Sequence, residues 1–94
     1  HRDLHSFPTR RSSDLGTIAY NIGVVYTLAS NFTEAINWYS NAITENKGFA
    51  SAYYNRGLAY LLTGNHNQGC IDLSTAGELG IPEAYDALNR FCVK

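Results

Sequence analysis

The sequence predicts an all-α protein: an α-solenoid of two helix-turn-helix repeats closed by a C-terminal capping helix. Three observations carry this. Residues 50–76, ASAYYNRGLAYLLTGNHNQGCIDLSTA, hold apolar residues at helical spacing on both sides of a break at Gly64-Asn65. The same pattern occurs earlier, since a shift of 34 residues carries Tyr20, Asn21, Gly23, Tyr26, Leu28, Asn31, Ser40 and Ala42 onto identical residues. A fixed period in this range marks stacked helical repeats. Finally, Pro82 opens a last amphipathic stretch at a position where a helix tolerates its missing amide.

The first fifteen residues stand apart. They have no apolar period, and His5 to Leu15, HSFPTRRSSDL, resembles the one-frame translation of a short-read sequencing adapter. Residues 1–15 are therefore expected to be a disordered, non-native segment outside the fold. Repeat 1 is then assigned to 16–49, repeat 2 to 50–81 and the cap to 82–94.

The first helix should run from about Thr17 to Ala29, with Ala19, Ile22, Gly23 and Tyr26 on one face. Ile18 and Val25 lie on an adjacent face and are expected to pack on a preceding repeat of the same chain. Ser30-Asn31 breaks the helix, and Thr33 offers an N-cap for the next one. Ala35, Ile36, Tyr39, Ala42 and Ile43 form the inward face of that second helix, and Gly48 is expected to end it in a left-handed conformation. In repeat 2, Gly64 ends the first helix, Asn67 is the expected cap of the second, and Gly80 closes it. The final helix, Glu83 to Val93, should turn Ala84, Leu88 and Phe91 inward. Gly69 and Gly77 fall inside a helix, where glycine costs about 0.5–1 kcal/mol against alanine. Close packing against that final helix is the expected reason.

Ile22-Gly23, Tyr26, Ala35, Tyr39 and Ala42, followed by Tyr53, Gly57, Tyr60, Gly69, Leu73 and Ala76, resemble the tetratricopeptide repeat. Ala19 and Arg56 depart from that family's usual aromatic and Leu. The resemblance covers about 16–83 and implies a protein–protein interaction scaffold. First helices of successive repeats would line a concave groove that takes a peptide or a partner helix. Transferred by register, the groove positions are Tyr20, Val24, Thr27, Tyr54, Leu58 and Leu61, with Thr17, Leu28, Ser51 and Leu62 beside them. Tyr20 and Val24 occupy places where one branch of the family clamps a carboxylate, so that clamp is absent. The competing reading is structural: a C-terminal cap of a longer array whose working surface lies upstream.

Other classes find little support in the residues. Residues 16–94 keep four basic and six acidic side chains, 4 − 6 = −2, and no basic stripe, which argues against nucleic acid. No apolar run is long enough for membrane insertion, and no signal-peptide pattern is visible. His66 and Cys70 are four apart, the spacing of a nucleophile and its base, but Cys70 falls on the packing position of Ile36. A closed zinc site needs four ligands, more than two cysteines and one histidine supply. Asp72 and Glu78 read as single acids on a solvated face. Catalytic, cofactor and metal residues are accordingly assigned as none.

Cys70 and Cys92 each lie eleven residues from Ile81, where the turn between their helices is centred. In an antiparallel pair that puts them at one height, so a disulfide forms if both point into the seam. The alternative is two buried thiols acting as small apolar groups. Redox compartment decides between these, and the sequence does not name it.

Overall fold

The computed structural model describes the backbone of residues 7–92 and the side chains of 15–92. Five helices follow one another: α1 (Phe7–Leu28), α2 (Phe32–Glu45), α3 (Ala50–Leu62), α4 (His66–Glu78) and α5 (Pro82–Phe91). Each packs on its neighbours in sequence, so α1/α2 and α3/α4 are hairpins stacked side by side, with α5 laid on α4. Among the described residues there is no strand, and no helix is long and apolar enough to cross a membrane.

One motif, used three times, sets the hairpin turns. After α1 the amide of Asn31 donates to the carbonyl of Tyr26 at 2.8 Å and that of Ser30 to Thr27 at 2.9 Å. The same pair recurs as Asn65 to Tyr60 with Gly64 to Leu61, and as Ile81 to Ala76 with Gly80 to Gly77. This closure needs one residue with positive φ. Gly64 (87°) and Gly80 (109°) supply it, and Ser30 takes the same role at 61° one repeat earlier.

Several boundaries differ from the sequence expectation. Helix α1 begins at Phe7 rather than near Thr17, so the segment 1–15 set aside as disordered is helical from Phe7 onward. Residues 1–6 lie outside the described residues. Extending an existing helix forms one hydrogen bond per residue fixed, and Pro8 sits in the first turn, where its lacking amide has no partner to lose. Asn31, not Thr33, caps α2: its Oδ1 accepts from the amide of Glu34 at 3.3 Å. Asn65 takes the place expected of Asn67, with its side-chain amide turned to Thr63 Oγ1. Gly48 has no left-handed φ; Asn46 Oδ1 accepts from the Gly48 amide at 3.1 Å and turns the linker instead.

Small residues let the helices approach, and large ones fill between them. Tyr39 is fully buried with its ring on Gly23, where a Cβ would meet the ring at 2.6 Å. Its hydroxyl lies 2.8 Å from Thr27 Oγ1. Thr27 gives its own proton to the Gly23 carbonyl, so Tyr39 is the donor. In repeat 2 the backbones touch: a Cβ on Gly69 would meet the Gly57 carbonyl oxygen at 2.8 Å. Gly69 thus faces α3, not α5 as expected, while Gly77 does lie under α5, against the ring of Tyr85.

The core is a ladder of two clusters. Ala19, Ala42, Ile43 and Ala52 close the junction between repeats, with Tyr20, Trp38 and Phe49 packed around them. Leu73, Ala76, Ala84 and Ala87 close the junction with α5, and Tyr53 packs against both clusters. On α5, Ala84 and Ala87 are buried and Leu88 is half-buried, but Phe91 is 51% exposed and does not turn inward. By the 34-residue period Phe91 falls on Gly57 and Gly23, where only a residue without a side chain fits.

Candidate functional site

The groove positions read from the sequence divide into two sets in space. Tyr20 is a packing residue: its ring lies 5.0 Å from Phe49 and 5.7 Å from Tyr39, and its hydroxyl accepts from Asn55 Nδ2 at 3.0 Å. Thr27 is half-buried, with its hydroxyl engaged by Tyr39 inside its own hairpin. Val24 remains half-buried on α1. The physical reason is aromatic crowding: Tyr20, Phe49 and Tyr39 fill the space between repeats that smaller residues would leave open.

Repeat 2 behaves otherwise. Tyr54, Leu58 and Leu61 are half-buried at the edge of the second cluster and line a furrow between α3 and α5. One end is an apolar hollow of about 360 Å³ formed by Leu58, Leu61, Leu62 and Phe91. The other, about 310 Å³, runs along Tyr54 and Leu58 past Ala87 to Glu83, Asp86 and Arg90. Leu58 and Phe91 line both hollows, which therefore adjoin. Tyr54 and Leu58 do not stand wholly free as groove residues, because each also packs on the core cluster. The far wall, Phe91 with Arg90, was missed from sequence; its signal was that period, which forbids an inward Phe91.

An ion pair also went unread. Asp72 is 4% exposed rather than solvated, and Arg56 meets it with two parallel bonds, Nε to Oδ2 at 2.7 Å and Nη2 to Oδ1 at 2.9 Å. A third bond runs from Nη1 to Ser40 Oγ on α2 at 3.0 Å, and the guanidinium lies over the rings of Tyr53 and Tyr60. Bonding to Asp72 holds Arg56 above its ordinary pKa range, with burial opposing. The pair ties three helices together. The available signal was spacing, because residues sixteen apart face each other across each hairpin, as Gly23 faces Tyr39.

At the outer end of α4, Cys70 and Cys92 are joined by a disulfide with Cα atoms 5.9 Å apart. His66, one turn before Cys70, brings its ring close: its nitrogen and the two sulfurs all lie within 4.8 Å of one another. Cys70 is therefore not a thiol nucleophile beside a histidine base in this structure.

The tandem hairpins, their 34-residue register and the small-residue crossings meet a family match at this point. The tetratricopeptide-repeat profile matches residues 23–64. That stretch carries a tetratricopeptide repeat. The chain is similar to a protein named NADPH oxidase activator from Dictyostelium discoideum, 38% identical over 55 residues, which is 58% of this chain and 9% of that protein. It is similar also to neutrophil cytosol factor 2, at 37% in Homo sapiens and 30% in Bos taurus, each over 59 residues, 63% of this chain and 11% of the relative. The chain thus spans about a tenth of these curated relatives. A repeat of this kind points to protein–protein interaction.

Proposed function

We propose that this chain is a non-catalytic interaction scaffold that takes a peptide or partner helix in the furrow between α3 and α5. The carrying observation is uncovered apolar surface: Leu62 is 64% exposed and Phe91 half exposed, above Leu58 and Leu61. Large apolar side chains left open beside a polar rim mark interaction sites. Arg90, Glu83 and Asp86 supply that rim. The partner of best fit presents one or two aliphatic or aromatic side chains next to a charged group. One relative bears the name of an oxidase activator and two that of a cytosol factor, which supports a non-catalytic role exerted on another protein.

Selection of displayed peptides on the immobilised chain, followed by titration, tests this. Leu62→Glu with Phe91→Glu changes exposed residues only, so helicity should stay constant while affinity for selected peptides falls at least about tenfold. Equal binding by the folded double variant moves the site elsewhere.

A second reading, the end of a longer array, is favoured by α1. Leu15, Ile18 and Val25 form an exposed apolar stripe, Val25 being 63% exposed. Their counterparts 34 residues on, Phe49, Ala52 and Ala59, are half-buried or buried, with Phe49 and Ala52 in the junction between repeats. By that symmetry a helix like α2, from a preceding repeat of the same chain, covers the stripe.

A further inference from the structure

Apart from the furrow, the described residues hold one cluster of soft donor atoms, His66, Cys70 and Cys92. His66 and Cys70 lie at i and i+4 on α4, which places the two side chains on one face a turn apart. Cys92 arrives from a different element, as the residue that follows the last turn of α5. The disulfide uses two of the three groups and leaves the histidine idle. Among the described residues no hydrogen bond holds the ring of His66, an exposed residue whose nitrogen lies within 4.8 Å of both sulfurs.

Ligand atoms held tetrahedrally by one zinc ion at about 2.0–2.3 Å lie roughly 3.3–3.8 Å apart. This trio, within 4.8 Å of one another, needs only side-chain shifts of about 1–2 Å to reach that spacing once the sulfur–sulfur bond opens. We infer that, once the Cys70–Cys92 bond is reduced, the His66 imidazole and the two thiolates hold one Zn²⁺, with solvent in the fourth position. The closed four-ligand site that the residue count excludes is a different kind of centre; three protein ligands and one open position is the other common zinc geometry.

The chemistry balances with a dithiol reductant. Its two thiols close to a cyclic disulfide and deliver two electrons and two protons, which convert the Cys70–Cys92 bond into two thiols. Zn²⁺ then forms two Zn–S bonds and one Zn–N bond and releases both thiol protons to solvent. Helix α5 is therefore fastened to α4 in either state, by a covalent bond when oxidised and by the metal when reduced. Between them lies a reduced, metal-free state in which α5 is held by packing alone, through Ala84, Ala87 and Leu88 and the ring of Tyr85 on Gly77.

The test uses the full chain, reduced with a phosphine without oxygen, titrated with Co²⁺ as a spectroscopic probe and then with Zn²⁺. The expected result is thiolate-to-cobalt charge-transfer absorption saturating at one ion per chain and lost when Zn²⁺ displaces Co²⁺. His66→Ala, at an exposed position, should keep the helical circular dichroism and weaken Zn²⁺ binding at least about tenfold; Cys92→Ser should weaken it further. The oxidised chain should give no charge-transfer band. Equal Zn²⁺ affinity for wild type and His66→Ala would overturn the assignment. So would one ion per two chains, or equal binding by the oxidised protein.

Discussion

Arg56 stands where the repeat usually has an aliphatic residue, and Asp72 explains why a charge is tolerated there. A buried ion pair contributes little against a hydrophobic pair of like volume, but removing one partner strands the other. Asp72→Ala should therefore cost about 3 kcal/mol, while Arg56→Leu with Asp72→Leu should lie nearer wild type than either single variant. Urea melts of the four proteins check this, and additive losses would show that the charges are not coupled. Tyr39 makes a second prediction. Burial raises its pKa above the ordinary value of 10.0. The folded state then holds the phenol proton more tightly than the unfolded chain. Its contribution is complete below pH 10.0 and lost as pH climbs through the folded value. Tyr39→Phe should cost about 1 kcal/mol at neutral pH and flatten the alkaline fall, measured as stability against pH.

Helices α3 and α4 owe their close crossing to two glycines, and α5 owes its attachment to alanines and a cross-link. Gly69→Ala gains helix propensity of about 1 kcal/mol but drives a methyl into the Gly57 carbonyl oxygen, so it should destabilise on balance. An equal substitution at the exposed Gly48, where only Asn46 Oδ1 lies near at 3.8 Å, should be close to neutral. Thermal melts of the pair separate a packing role from a propensity role. Cys92→Ser opens a loop spanning 22 residues. The chain-entropy model puts that loss at about 3 kcal/mol, and it should appear as early hydrogen exchange confined to α5. Uniform loss of protection along the chain would mean that α5 melts with the repeats.

The molecule is long and thin, 56 × 27 × 16 Å, with a core distributed along its length rather than gathered at a centre. Such arrays gain stability from each added interface. Ile18→Ser with Val25→Ser changes two residues more than half exposed, so it should leave this chain's melting midpoint unchanged. The same pair of changes in a longer protein carrying a preceding repeat should lower stability by about 2 kcal/mol or more, since there they remove buried apolar area. Equal midpoints for variant and parent in both lengths would reject the idea that a helix covers the stripe.

The all-α class, the 34-residue period and the hairpin turns at Asn31, Gly64 and Gly80 were legible in the residues, because helical spacing and turn closure are local and repeat with the chain. Tyr39 on Gly23 was legible for the same reason: a large residue and a small one recur at fixed offset within one hairpin. Three things were decided only in the folded molecule. Tyr20 became a packing residue because Phe49, from the far side of the repeat, stacks on it, and Thr27 because the Tyr39 hydroxyl engages its side chain. Phe91 became the wall of a furrow because α5 packs through Ala84 and Ala87, and its angle on α4 is set by those side chains and by Tyr85 over Gly77. Asp72 became a buried partner because Arg56 crosses from another helix to satisfy it. Local periodicity places a residue on a face of its own helix, whereas what covers that face depends on the volumes and charges of residues from other helices.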